Sequence, residues 1–249
     1  MIVVYVYLNL KYHNIIYSII YSMMISINEI FDKVYLINLE NDTDKYQIMK
    51  SKLDKLNIKF ELFKAIDGDK LNNCKLLNFG NKGAVGCKMS HMEIIKNAKY
   101  NNYSKILILE DDLYFWKNFN ERFNSLYKNL IDIDKNWKLV YFGASNRIGK
   151  NHIHLNKMNQ SVYNIGSKFI TGAYAIGYDK SIYDTILKSE NDNRPYDDIV
   201  GNYIQENNYI FFPYLIYPNI KKVSTTVDNN SQDQDFYCKL NYINENNYI

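Results

Sequence analysis

The sequence predicts an α/β protein built on a Rossmann-like mixed sheet flanked by helices. Two observations predict it. Short aliphatic runs of strand length alternate with stretches whose apolar residues recur at helical spacing, and a turn signal or polar cluster separates several of them.

Lys33 to Leu39 (KVYLINL) has the near-continuous apolar character of a buried strand. Thr43 to Leu56 carries Tyr46, Met49, Leu53 and Leu56 on one helical face, with Asp42 or Thr43 as N-cap. Phe60 to Ile66 (FELFKAI) reads as a second strand that stops at the turn signal Asp67-Gly68, which completes a β-α-β unit. After a glycine-containing loop, Gly86 to Tyr100 sets Met89, Met92, Ile95 and Ala98 or Lys99 along one helical stripe. Leu107 to Asp112 (LILEDD) forms a third strand, Glu121 to Ile131 a helix, Lys138 to Gly143 and Ala173 to Gly177 two more strands, and Ser181 to Lys188 a helix. In such sheets ligands bind at the carboxyl ends of the strands.

The 249 residues suit one sizeable domain, and 47% hydrophobic residues are ample for its core. Three segments are expected: an apolar extension over residues 1–30, a domain over 31–227 and a polar tail over 228–249 with no apolar stripe to commit it to the core. The 24 tyrosines, with heavy use of Asn, Ile and Lys, have the look of an AT-rich coding bias, so single residues of these types carry little functional weight. A formal charge of +3 without a basic run gives no footprint for nucleic acid. The three cysteines, Cys74, Cys87 and Cys238, lack CxxC spacing, and the few histidines are read as not clustered with them. Neither a disulfide framework nor a zinc site is expected. Within residues 1–27 the apolar run from Ile15 to Ile27 is shorter than the roughly 18 residues of a membrane span. It also lacks the flanks of a clear signal peptide, so a membrane anchor or uncleaved signal stands beside an extension packed on the domain.

The segment LILEDDL (Leu107 to Leu113) follows a buried strand directly with Glu110, Asp111 and Asp112, three acids that repel one another and resist burial. In an extended chain Glu110 and Asp112 point to one face and Asp111 to the other. Such carboxylates are natural ligands for a hard cation, Mn²⁺ or Mg²⁺, with water or substrate phosphates completing its shell. A solvated turn or a set of helix N-terminal acids would read the same way.

Four segments together bear on that choice: VYLINLENDTDKYQIM (34–49), FKAIDGDKL (63–71), GAVGCKMSHMEIIKNA (83–98) and ILILEDDLYF (106–115). In order and spacing they resemble glycosyltransferase family 25, which includes lipopolysaccharide galactosyltransferases and collagen hydroxylysine galactosyltransferases. The resemblance runs from about Phe31 to about Tyr217. It implies a glycosyltransferase A type fold and an inverting transfer of a hexose, galactose or glucose, from a nucleoside-diphosphate sugar donor to a hydroxyl of a glycan or a hydroxylated protein side chain. It also implies that Glu110, Asp111 and Asp112 occupy the place of the metal-binding acidic motif. By the face argument Asp112 is the direct ligand, with Glu110 beside it or on the donor ribose through water.

FITGAYAIGYDKSIYDTIL (169–187) and RPYDDIVGNYI (194–204) resemble later family segments; Tyr196 departs from the family's Pro-Val-Asp pattern, so either Asp197 or Asp198 stands as the base. The alternative for that pair is a helix N-terminus favoured by the dipole. Ser90 and His91 form the family's Ser-His pair. Neighbours on a helix point about 100° apart, so a covalent triad is not expected, and the pair binds donor, positions the acidic loop or is structural. Asn38 and Asp67 end the first two strands, where nucleoside binding or ordinary capping are both open. Gly83 and Gly86 are expected to turn the backbone before a helix whose N-terminus favours phosphate. Arg147, Lys150, His152 and His154 form a polar stretch, either closing on the diphosphate or a surface loop. Competing functions are a metal-dependent nucleotidyltransferase or phosphohydrolase, and an inactive glycan-binding or adhesion module. Cytoplasmic, membrane-associated and secretory-lumen locations all remain open.

Overall fold

The computed structural model describes residues 24–71, 82–145, 155–168, 170–219 and 244–249. A single helical turn, α1 (Ile27–Ile30), is closed by a capping box in which the Ser26 N–H donates to Glu29 Oε2 at 2.6 Å. It buries Ile27 and delivers Phe31 into the core. The end of the expected extension is therefore already part of the packed body. Residues 1–23, most of the segment weighed as a membrane anchor, lie outside the described residues. Among the described residues no helix is long and apolar enough to cross a membrane.

The β-α-β unit forms as the periodicity predicts. Strand β1 (Lys33–Asn38) is followed by α2 (Thr43–Lys55) and β2 (Glu61–Lys64), which pairs parallel to β1 with Tyr35 opposite Glu61. Helix α3 (Lys82–Tyr100) then leads to β3 (Lys105–Leu109), parallel to β1 on its other side. The chain continues through β4 (Leu113–Phe115), α4 (Phe119–Ile133), β5 (Leu139–Tyr141), β6 (Asn156–Lys157), β7 (Val162–Asn164) and β8 (Ala175–Asp179). It ends with α5 (Tyr183–Leu187), α6 (Tyr196–Tyr203), β9 (Asn208–Phe211) and β10 (Ile216–Pro218).

The main sheet has eight strands in the order β2-β1-β3-β8-β5-β9-β7-β6, and β4 with β10 forms a separate antiparallel pair. Only β8 runs antiparallel between β3 and β5, and the β7 and β6 edge is antiparallel as well. This is the mixed sheet flanked by helices expected of a glycosyltransferase A type fold.

Side-chain alternation sorts the core into two layers. Tyr35, Ile37, Ile106 and Ile108 pack with Ile94, Ile95 and Ala98 of α3. Val34, Leu36, Leu107 and Leu109 pack on the opposite face with Met49 and Leu53 of α2 and with Phe119 and Phe123 of α4. The residues that follow Leu109 inherit this alternation, which decides where the acids point.

Three expectations change. Helix α3 begins at Lys82, so Gly86 is an interior contact point of that helix and not a turn before it. A Cβ at Gly86 would collide with the Ile66 carbonyl oxygen and the Gly68 backbone. The buried stripe of α3 runs through His91, Ile94, Ile95 and Ala98, whereas Met89 is 39% exposed, because glycine and polar residues occupy part of the face that an apolar-only reading follows. At the far end, residues described beyond the middle of the polar tail dock after all. Tyr248 is buried, its hydroxyl donates to the Tyr214 carbonyl at 2.5 Å, and Phe115 and Ile249 exchange two backbone hydrogen bonds. The Asn247 carbonyl also accepts from the Lys117 N–H at 2.7 Å, and the Tyr248 ring packs against Trp116, just after β4, and Tyr217 of β10.

Helical glycine normally gives way to alanine with a gain of up to about 1 kcal/mol. At Gly86 the close backbone approach reverses this: Gly86→Ala is expected to destabilise by about 1–3 kcal/mol, read as a lower denaturant midpoint with an unchanged slope.

Candidate active site

The carboxyl ends of β1, β2 and β3 open on one cavity of about 320 Å³, lined by Asn38, Asp67, Ser90 and all three acids of the Glu110–Asp112 segment. Strand β3 is fully buried from Ile106 to Leu109, so the chain has nowhere to solvate the next residues except this opening. The Glu110 N–H still donates to the Tyr174 carbonyl at 2.9 Å, which extends the ladder by one residue and holds the first acid in register.

The alternation of β3 then distributes the charges. Glu110 follows Ile106 and Ile108 toward α3, where its Oε1 lies 3.6 Å from His91 Nε2 and 3.7 Å from Cys87 Sγ. Asp111 follows Leu107 and Leu109 toward α2, where its Oδ1 lies 3.6 Å from Lys45 Nζ. The chain bends after this point and β4 joins another sheet, with the Asp112 carbonyl accepting from the Asn219 N–H at 2.6 Å. Glu110 and Asp111 therefore part to the two faces as the strand argument expects, and all three acids line the cavity that opens at the strand end.

Burial pushes Asp112 up to about 7, and Glu110 and Asp111 add to the shift. Asp111 is pushed up to about 6, again by burial first, with Lys45 opposing and Glu110 reinforcing. Burial works against the Lys45 ammonium, yet Asp111, Asp42 and Asp112 hold its pKa above the ordinary lysine value. The Lys45 ammonium is shared between Asp42, 3.1 Å away, and Asp111, so the acids at this end of the cavity outnumber it. Glu110, Asp111 and Asp112 offer oxygen donors and the cavity has room for phosphates, so the residues present fit a hard divalent cation such as Mn²⁺ or Mg²⁺.

The other predicted residues separate into groups. Asn38 is 5% exposed; its Nδ2 donates to the Leu39 carbonyl at 2.6 Å, while Oδ1 has no hydrogen-bond partner among the described residues and borders the cavity. Asp67 caps the turn after β2, accepting from the Asp69 N–H at 3.1 Å. Ser90 is fully buried: its Oγ accepts from the Ile66 N–H at 2.8 Å and donates to the Gly86 carbonyl at 2.8 Å. Its hydroxyl thus ties α3 to the loop after β2.

His91 is also fully buried, stacked on Tyr196 with ring centroids 4.3 Å apart. Through that stack the start of α6 is fixed against α3. Asp197, in the first turn of α6, accepts from the Gly172 N–H at 3.1 Å and from the Asp198 N–H at 3.1 Å. Gly172 has a φ of +91°, a backbone conformation that favours glycine at this contact. After burial and Glu110, the Asp197 charge also raises the Cys87 thiol. Asp198 is held above its usual range by burial and then by Asp197, with Arg194 opposing.

Sequence reasoning missed Lys45 and the Cys87 group. Lys45 carried a signal only in its place one turn into the helix after β1. Cys87 and His91 lie four residues apart on α3, a spacing that puts both on one face, so treating the histidines as separate from the cysteines was incorrect. Cys74, Cys238, Arg147, Lys150, His152 and His154 lie outside the described residues.

A β-α-β half-sheet whose third strand ends in acids beside a cavity is a ligand site of the kind that open α/β sheets carry at the carboxyl ends of their strands. The chain belongs to glycosyltransferase family 25: the model of that family, described as a lipopolysaccharide biosynthesis protein family, matches residues 31–178, more than half of the chain. It is 33% identical over 129 residues to procollagen galactosyltransferase 1-B of Xenopus laevis, covering 45% of this chain and 21% of that one. It is 29% identical over 129 residues to the inactive glycosyltransferase 25 family member 3 of Homo sapiens, covering 45% of this chain and 22% of that one. The chain therefore spans about a fifth of the length of these relatives. Among solved structures, a glycosyltransferase involved in the glycosylation of the major capsid of PBCV-1 aligns with a TM-score of 0.36 and 12% identity, over 64% of this chain and 66% of that one.

In metal-free protein the raised acids bind more protons folded than unfolded between their ordinary range and about pH 7. Stability must then fall as pH rises through that window. With a chelator present, the melting temperature is expected to drop between about pH 5 and about pH 8, and Asp112→Asn should flatten most of the decline. A wild-type melting temperature that rises across the window would contradict the buried placement of these acids.

Proposed function

We propose that this chain is an active, divalent-metal-dependent hexosyltransferase. In this reading it moves galactose or glucose from a nucleoside-diphosphate sugar to a hydroxyl of a glycan or a hydroxylated protein side chain, with inversion. The observation that supports it most is the convergence of Glu110, Asp111 and Asp112 on the cavity at the ends of the parallel strands.

Asp112 and Glu110 would hold the ion, with Asp111 shared between it and Lys45. A bound Mn²⁺ or Mg²⁺ supplies Lewis-acid charge against the diphosphate as the sugar departs. Lys45 adds a fixed positive charge on the α2 side of the same cavity. Asn38 has a buried, unsatisfied carbonyl oxygen that suits an N–H or hydroxyl of the nucleoside, and Asp67 lines the same cavity.

Inversion needs a base to take the acceptor's proton from the face opposite the leaving group. Asp197 is the preferred candidate, because two backbone N–H groups fix its orientation and its charge acts on the Cys87 thiol. The Asp198 carboxyl is raised by burial and then by Asp197. His91 and Ser90 act in this reading as positioning residues, His91 by carrying the start of α6 and Ser90 by bracing the loop after β2.

A human relative is named inactive, so family membership by itself does not carry activity. The retained acids support it here. A secretory-lumen location would accord with the procollagen galactosyltransferases, while the lipopolysaccharide description of the family accords with a glycan acceptor.

The test is release of nucleoside diphosphate from a panel of nucleotide sugars. The wild-type chain should cleave one of them in a Mn²⁺-dependent way, and Asp112→Ala should lose that cleavage. Asp197→Ala should lower transfer by about 10²- to 10⁴-fold, and Asp198→Ala by far less. Equal cleavage by wild type and Asp112→Ala would remove the metal assignment. Pyrophosphate as the product would replace transfer with nucleotidyl chemistry.

A further inference from the structure

The α3 face beside the acids carries a second group. Cys87 Sγ, His91 Nε2 and Glu110 Oε1 lie within 4.8 Å of one another. The Glu110 oxygen is 3.6 Å from the imidazole nitrogen and 3.7 Å from the sulfur. From these positions we propose a binding site for Zn²⁺, or a cation of similar softness, that takes Glu110 away from the acidic cluster and so inhibits the enzyme.

Three independent features point to this ligand. First, atoms around a four-coordinate zinc, at about 2.3 Å for sulfur and about 2.0 Å for nitrogen and oxygen, stand roughly 3.3–3.5 Å apart. The two Glu110 separations need to close by only a few tenths of an ångström, and the Cys87–His91 pair, within 4.8 Å, by no more than about 1.3 Å. Second, His91 is fully buried and neither ring nitrogen has a hydrogen-bond partner among the described residues, an arrangement that leaves a polar group desolvated without compensation. A cation between Nε2, Sγ and Oε1 supplies the missing partner. Third, thiolate and imidazole select Zn²⁺ over Mn²⁺ or Mg²⁺, which prefer the oxygen-only group formed with Asp112.

Charge balance suits the buried position. On binding, the Cys87 thiol gives its proton to solvent, and one thiolate, one carboxylate and a neutral imidazole then cancel the ion's two positive charges. Cys87 and Glu110 both line the cavity, which gives the ion a path in and a fourth position for water. The helix sets the spacing, because residues four apart share a face. Binding itself is independent of the transferase reading; the inhibitory consequence rests on it.

The experiment uses the full chain with Co²⁺ and Zn²⁺ as probes and no nucleotide sugar. Co²⁺ should give a thiolate-to-metal charge-transfer band that one equivalent of Zn²⁺ abolishes. The band should persist in Cys74→Ser/Cys238→Ser and vanish in Cys87→Ser. Zn²⁺ affinity, from competition with a chromophoric chelator, should fall in Cys87→Ser and in Glu110→Gln by more than the about 10- to 100-fold that outer-shell changes cost. Circular dichroism identifies variants that fold. Absence of the band in wild type, its loss in Cys74→Ser/Cys238→Ser, or unchanged Zn²⁺ affinity in a folded Cys87→Ser or Glu110→Gln would overturn the site. In a separate donor-cleavage assay, Zn²⁺ should inhibit wild type against saturating Mn²⁺ and lose that effect in Cys87→Ser. Metal binding without this inhibition would overturn the regulatory half alone.

Discussion

The constraint on which the structure turns is electrostatic: a strand buried on both faces ends in three consecutive carboxylates. Strand β3 lies between β1 and β8 with helices over both faces, and from Ile106 to Leu109 it has no access to solvent. Leaving water costs a carboxylate several kcal/mol unless charge or hydrogen bonds compensate. The surroundings answer in kind. Lys45 reaches in from α2, the cavity opens at the strand end, and the remaining excess of negative charge is of the sign that suits a cation.

Helix α3 organises the other side of that cavity. Gly86 lets it touch the backbone after β2, and Ser90 fastens the same contact through the Ile66 N–H. One face further round, Cys87 and His91 meet Glu110, and His91 carries Tyr196 and with it the start of α6. A single helix thus fixes the loop that bears Asp67, the orientation of the first acid and the approach of Asp197. Changes in its packing would move three parts of the site together, because packed interiors shift as units and do not deform locally.

The parallel half of the fold was legible because its signals are local. Strands β1 and β3 are apolar enough to stand out, and α2 shows its core face through Met49 and Leu53. Strands β4, β6, β7, β9 and β10 were not legible, for they are two to four residues long and owe their pairing to distant partners such as Asn208 with Leu139. The docking of Tyr248 had the same cause, since nothing in the tail announces the β4 edge that receives it. In the site, Glu110 to Asp112 could be read from the violence of the pattern, an acid triplet on an aliphatic strand. Lys45, the Gly86 contact and the Cys87 group depend on which helix face meets which strand. Of these, the pairing of Cys87 with His91 was accessible through helical spacing alone.

Family membership does not separate an active transferase from an inactive relative, since this chain is similar to both a procollagen galactosyltransferase and a family member named inactive. Energetics does offer a criterion. A scaffold freed from catalysis gains stability by replacing Asp112 with a neutral residue, because a carboxyl raised to about 7 is charged near neutral pH only against the preference of its surroundings. The same argument applies to Asp111, raised to about 6 even with Lys45 beside it. Residues that lower stability while lining a cavity are those whose worth lies in a bound state, where a cation or phosphate reverses the sign of the local energy. The acids at the end of β3 meet that description, and Ser90, satisfied entirely by backbone, does not. On that criterion the proposed site lies where the unliganded fold is least comfortable.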